Sequence, residues 1–484
     1  MLFNSFQYLL FLPVVLLIYW LSPRKIRHVV LLIACYVFYM SWKPVYGLLM
    51  FGMTLANFAF GLKIYDCAPA YKKPLLIAAV ASNLLTLAFF KYAYFAHDAA
   101  DQVVKVLGLS LPPLTMQIIL PLGISFFVFE FIHYVVEVYR GSQPVRSFIE
   151  FALFASFFPT QIAGPIKRYT DFIPQLSNPH KVTLSTVEQS AWLIVSGLVR
   201  KILFADYLAI VVHSAFEHPE LLSSLDLWLA TYAFAFQIYF DFSAYTDIAR
   251  GSALLFGFSV PPNFNLPYLA DSIADFWRLW HISLSTWLRD YLFIPLGGSR
   301  CSQLFNYRNL FITMVLGGIW HGAAWHFAVW GAYQGALLVF HKEFQRIAER
   351  FEPLELLRET TWFHYFSIAL TFHAVCIGWV FFRADNMPEA LAVIGKLLFL
   401  PSAGVSISPF ALSLTSTTES TVFLMLPLML ATVFVGQAIV AYLSANKRRF
   451  VAPALLQGAA LAVAICLLIV LSPDFAPKFI YFQF

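Results

Sequence analysis

Apolar runs close to the length of a membrane-spanning helix recur along this chain, separated by short polar stretches rich in lysine and arginine. At a rise of 1.5 Å per residue, a helix needs about 20 apolar residues to cross a hydrocarbon layer. Runs of that kind fall at 2–21, 28–42, 44–62, 74–96, 114–138, 188–213, 226–256, 306–340, 362–382, 421–445 and 451–471. The pattern predicts an all-α integral membrane protein with roughly 10–12 transmembrane helices, some tilted or broken. The first run has no basic residue ahead of it and Arg24, Lys25 and Arg27 just behind it. A cleaved secretory signal has the reverse polarity, so residues 2–21 read as a retained first helix with the N-terminus outside. By the same rule the basic clusters at 23–28, 71–73, 167–168, 200–201 and 446–449 should face the cytoplasm.

Two regions do not fit plain spans. Residues 148–176 are apolar but interrupted by Pro159, Gly164, Pro165 and Pro174, and residues 259–300 mix prolines, tryptophans and charges. Irregular backbone at membrane depth survives only where protein or a wet cavity satisfies it, so both are candidate re-entrant elements around an internal chamber. No repeat and no long soluble insertion interrupts the chain, which reads as one polytopic domain over 1–484. Its N-terminal helices cover 1–145, a core with re-entrant elements 146–400 and the C-terminal helices 401–484.

Composition agrees: 60% of residues are hydrophobic and 12% charged, against about a quarter charged in soluble globular chains. The net charge of +5 is explained by basic loops and calls for no nucleic-acid partner. The five cysteines are scattered with no C-x-x-C pair, so neither a disulfide framework nor a metal site is expected.

The chemistry lies in polar residues that an apolar setting penalises. Within QIYFDFSAYTDIARG (237–251), Asp241 and Asp247 sit beside Tyr239 and Tyr245. A carboxylate at the centre of a membrane helix costs about 2.5–3.5 kcal/mol, so both need partners, for which Arg250, Arg278 and Arg289 are at hand. Read as one helix, DFWRLWHISLSTWLRDYLFIPLGG (275–298) puts Trp277, Trp280, His281, Trp287 and Tyr291 on one face and Arg278, Ser285 and Arg289 on another. This pattern suits an interfacial amphipathic helix, or a chamber wall with His281 pointing inward. In LGGIWHGAAWH (316–326), His321 and His326 are five residues apart, off a common face and poorly spaced to share a metal. His321, on a turn of small residues flanked by Trp320, is the better candidate for chemistry.

These stretches carry a resemblance. NLLTLAFFKY (83–92), LPLGISFFVFEFIHYVVEVYRG (120–141), FFPTQIAGPIKRYTDFIPQL (157–176), QIYFDFSAYTDIA (237–249), FWRLWHISLSTWLRDYLFIPLGG (276–298), YRNLFITMVLGGIWHGAAWHFAVWG (307–331) and GWVFFRA (378–384) look like the membrane-bound O-acyltransferase (MBOAT) family. The chain is most similar to the family's bacterial branch that O-acetylates alginate and cellulose. One departure is Ala244, where relatives usually carry glycine. The region after about residue 400 matches weakly, and no functional residue is carried into it. The resemblance implies helices, some of them re-entrant or amphipathic, around a central tunnel. In it the essential histidine is His321 and the second signature polar position is His281.

It also implies a reaction. An acetyl group would pass from a cytoplasmic thioester, acetyl-CoA or the phosphopantetheine of an acyl carrier protein, across the bacterial inner membrane to O-acetylate a secreted exopolysaccharide. The implied partners are a periplasmic acetyltransferase, the exopolysaccharide synthesis and export complex and membrane lipids, with the N-terminus periplasmic and no tightly bound cofactor. Such a transfer needs a base for the hydroxyl proton and a donor for the oxyanion. His321 is expected as the base and His281 as the group that orients the acceptor or steadies charge. Trp280, Trp287 and Trp320, with Ser283, Tyr239, Asp241 and Tyr245, would line the tunnel. Arg289 would meet donor phosphates or pair with Asp290. A teichoic acid D-alanyl transferase, a lipid-linked sugar flippase and a non-enzymatic export subunit are the competing functions.

Overall fold

The computed structural model describes residues 1, 3–398, 435–436, 439, 454–471 and 479. The span expected at 421–445 therefore lies outside the described residues except at three positions. The described residues form helices and connecting segments without a β-strand. They divide into two compact units, Met1–Gly197 with Tyr245–Pro262, and Leu198–Ala244 with Asn263–Phe484.

The first unit holds α1 (Phe6–Leu21), α2 (Arg27–Met40), α3 (Val45–Asp66), α4 (Pro69–Lys105), α5 (Ile124–Tyr139), α6 (Phe148–Ser156), α7 (Tyr169–Ser177) and most of α8 (Leu184–Val199). The Ser5 hydroxyl accepts from the Tyr8 amide and caps α1. Asn57 of α3 and Asn83 of α4 exchange side-chain amide bonds of 3.1 and 2.7 Å in a buried setting. Gly123 opens α5 in the left-handed region (φ 71°), and a Cβ there would meet the backbone of Gln161 and Ile162.

Residues 157–168 run irregularly between α6 and α7, as the proline pattern anticipates, and Phe157–Lys167 are all buried. Protein groups satisfy them. Glu130 of α5 accepts from both the Lys167 amide (3.1 Å) and its ammonium (2.7 Å), and the ammonium also donates to Thr160 (2.8 Å). Lys167 is thus 2% exposed and paired inside the unit.

The second unit starts with a π-helical turn, Arg200–Ala205, followed by α9 (Asp206–Glu217). The run 188–213, expected as one span, is interrupted by that turn. Helix α10 (Ser224–Leu255) contributes its first two-thirds here and its end to the first unit. Then come α11 (Ile273–Leu279), α12 (Ile282–Leu288), a π-turn at Arg289–Phe293, α13 (Gln303–His321), α14 (Trp325–Ala348), α15 (Glu352–Arg358), α16 (Thr361–Arg383), α17 (Met387–Leu398) and α18 (Ala454–Val470).

The run 306–340 is likewise two helices, broken at Gly322–Ala324. Helices α13 and α14 approach closely at glycines. A Cβ on Gly331 would lie 2.9 Å from the Val315 Cα and 3.1 Å from the Gly318 Cα.

Among the described residues, α3, α4 and α16 are long and apolar enough to cross a membrane, and Phe6–Leu21 and Gly458–Val470 are shorter apolar helices. Helices α10, α13 and α14 have spanning length but bury polar groups, Asp241, Asn309, Thr313 and Gln334 among them. The expectation of roughly 10–12 apolar spans counted such helices with the lipid-facing ones.

Candidate active site

The stretch 275–298 is not one helix. It breaks at Trp280–His281, where His281 takes up left-handed backbone (φ 43°, ψ 54°), one of two non-glycine residues to do so among the described residues. Non-glycine residues held there carry strain that the surroundings must impose, and such positions concentrate at functional sites. Asn263 supplies the constraint. Its carbonyl accepts from the Ile282 amide (2.9 Å) and its side-chain oxygen from the Ser283 amide (3.2 Å), which caps α12.

The break turns the His281 imidazole into a closed belt of aromatic contacts within the second unit. Ring centroids run from His281 to Phe242 (4.6 Å), Phe264 (5.0 Å), Trp280 (5.0 Å) and Trp379 (4.9 Å). From Trp379 they continue to Trp330 (6.0 Å), His321 (5.1 Å) and Trp320 (4.7 Å), and return to His281 (6.5 Å). The two imidazoles therefore share a contact with a single indole, that of Trp320. His321 also meets Phe382 at 5.1 Å, and it is 6% exposed against 1% for His281. Helix α13 ends at His321 because Gly322 and Ala324 adopt extended backbone, which leaves that imidazole at a helix terminus.

The Nδ1–H of His326 donates to the Phe381 carbonyl at 2.8 Å, a main-chain anchor for a buried ring.

Of the other expected site residues, Trp280 and Trp320 are in the belt. Tyr239 lies 6.3 Å from Trp280. Ser283 is buried with its amide capped by Asn263, and Trp287 is buried and packs on Tyr291 at 5.3 Å. Arg289 is 59% exposed and pairs with Asp290 at 2.8 Å, the structural one of its two expected roles. Tyr245 belongs to the first unit, where its ring stacks on Phe3 at 4.4 Å.

Asp247 pairs with Arg250 at 3.0 Å, whereas Asp241 pairs at 3.0 Å with Lys201, which also holds Asp206 at 2.7 Å. None of the three expected arginines pairs with Asp241: Arg250 pairs with Asp247, Arg278 with Asp275 and Arg289 with Asp290. Lys201 is therefore a buried, paired cation. Sequence reasoning also passed over Phe242, Asn263, Trp330, Trp379 and Phe382. The signal for the last two was the GWVFFRA stretch, whose aromatic residues recur at helical spacing. Among the described residues no group of three or more His, Cys, Asp or Glu is placed to hold a metal ion.

The sequence model of MBOAT, the membrane-bound O-acyltransferase family, matches residues 31–378. The chain belongs to this family. Its relatives include a probable alginate O-acetylase of Pseudomonas putida, 41% identical over 82% of this chain and 80% of that protein. A peptidoglycan O-acetyltransferase of Helicobacter pylori is 34% identical over 83% of this chain and 80% of its own length. A teichoic acid D-alanyltransferase of Bacillus subtilis is 29% identical over 54% of this chain and 68% of its own. This MBOAT protein is accordingly a membrane O-acyltransferase, and every belt residue but Trp379 falls inside the matched segment.

Proposed function

We propose that this protein takes an acetyl group from a cytoplasmic thioester and passes it across the bacterial inner membrane for O-acetylation of a secreted exopolysaccharide, alginate or cellulose. A periplasmic acetyltransferase completes delivery. The donor is acetyl-CoA or the phosphopantetheine thioester of an acyl carrier protein, and the N-terminus is periplasmic. The observation that carries this reading is the aromatic belt with His281 and His321 both in contact with Trp320.

The chemistry follows from that arrangement. His321 takes the proton from the attacking hydroxyl as its oxygen bonds to the thioester carbonyl carbon. His281 orients the acceptor or steadies the oxyanion, and the proton goes to the departing thiolate, so charge balances over the cycle. Closely spaced indole and phenyl rings leave little room beside the imidazoles, which favours a two-carbon acyl group over a long chain. The higher identity and coverage of the O-acetylating relatives favour acetyl over D-alanyl.

The test removes the imidazole. In a strain lacking its own copy, His321→Ala at wild-type abundance is expected to lower alkali-released polymer acetate by about 10²–10⁴-fold, the size of a general-base contribution. Normal acetate with that variant overturns the assignment. Purified protein in nanodiscs, given labelled acetyl-CoA or acetyl-loaded carrier protein, identifies the donor.

A further inference from the structure

The π-turn at Arg200–Ala205 puts two consecutive cations onto α10. Arg200 donates to the Ser243 hydroxyl at 3.0 Å, and Lys201 Nζ sits 3.0 Å from Asp241 Oδ1 and 2.7 Å from Asp206 Oδ1. The Lys201 side chain is 9% exposed and both carboxylates are 3% or less. Such a cluster is a poor source of stability, because desolvating three charges offsets most of their attraction. What buried ion pairs do supply is a fixed register, and π-turns recur where a functional group must be aimed.

The register fixed here is that of Phe242. It lies between the two anchored residues, Asp241 and Ser243, and presents its ring edge-on (85°) to His281 at 4.6 Å. Asn263 holds the strained left-handed backbone at His281 through the Ile282 and Ser283 amides, and the Phe242 ring packs on the imidazole.

We propose that Lys201 is a positioning residue for the transfer reaction: by clamping Asp206 and Asp241 it sets Phe242, and through Phe242 the orientation of the His281 imidazole. This rests on the reading that His281 takes part in transfer. Lys201 touches no reacting atom and acts through two side chains.

The test uses full-length Lys201→Met, Lys201→Arg, Phe242→Leu and His281→Asn in a strain lacking its own copy. Polymer acetate is measured per folded protein, taken as the monodisperse fraction in detergent. The purified proteins are also treated with diethyl pyrocarbonate, and carbethoxylation is followed at His281 with His326 as the internal reference.

Lys201→Met and Phe242→Leu are expected to lose acetate by at least about tenfold per folded molecule. In both, His281 should be modified at least about fivefold faster while His326 stays at its wild-type rate, as for a local rather than a global opening. Lys201→Arg, which keeps the charge, should restore most of both readouts. Wild-type acetate and wild-type His281 reactivity in folded Lys201→Met overturn the proposal, and so does equal acceleration at both histidines. Should Lys201→Met not accumulate, Phe242→Leu leaves the ion cluster intact and carries the same test. Full acetate with His281→Asn defeats the role given to His281, while the modification rates still decide the clamp.

Discussion

The Glu130–Lys167 pair of the first unit and the His281–His321 belt of the second are both polar groups sunk in apolar surroundings, and they are made of opposite materials. The ammonium of Lys167 is met by a carboxylate and a hydroxyl, with Phe154 and Phe172 at 5.3 and 5.8 Å beneath it. Its charge is answered by Glu130 of α5. The two imidazoles pack against aromatic rings, among them Phe242, Trp330 and Phe382, and the local backbone is strained at His281. Burial of a polar group therefore says little about its purpose. What distinguishes the two regions is the dominant neighbour: a charged group at Lys167, and aromatic rings at His281 and His321.

That contrast can be broken by substitution. The largest effect on folding is expected from Glu130→Ala, which strands the Lys167 ammonium and should cost about 3–5 kcal/mol. Thermal unfolding in detergent measures it, and activity per surviving folded molecule should stay unchanged. His321→Ala should do the reverse, and a variant of either kind that loses both together would merge the two regions. Gly331→Ala is intermediate. The added methyl has no room against Val315 and Gly318, so α13 and α14 must part, at about 1–3 kcal/mol. Because His321 ends α13 and Trp330 rides on α14, acetate formation should fall with melting temperature, a coupling that Glu130→Ala lacks. The smallest effect is expected at Arg289→Ala, since an exposed pair with Asp290 contributes about 0–1 kcal/mol. A large loss of activity there, with donor affinity reduced, would restore Arg289 as a phosphate contact.

Much of the site was legible in the chain. Prolines and glycines marked 148–176 and 259–300 as irregular, and the cost of burying imidazoles drew attention to His281 and His321. Helical periodicity, however, assumes an unbroken helix. At 275–298 it put Trp280 and His281 on one continuous face, where the chain instead turns through left-handed backbone held by Asn263, a residue outside the stretch. The positive-inside rule counts lysines without knowing where they aim. It assigned the clusters at 167–168 and 200–201 a side of the membrane and could not say that a long-range carboxylate and a π-turn draw Lys167 and Lys201 inward. Both burials arise from partners more than thirty residues away or from a helix period other than 3.6, neither of which local pattern carries.

The left-handed backbone at His281 has a practical consequence for anyone replacing that residue. Alanine there removes the ring and leaves a Cβ in the same unfavourable torsion, a penalty of about 1–2 kcal/mol with no side chain to offset it. Asparagine and glycine visit that torsion more readily. A saturation library at codon 281, sorted for protein that still reaches the membrane intact, should therefore be enriched in those two letters whether or not any acetate is made.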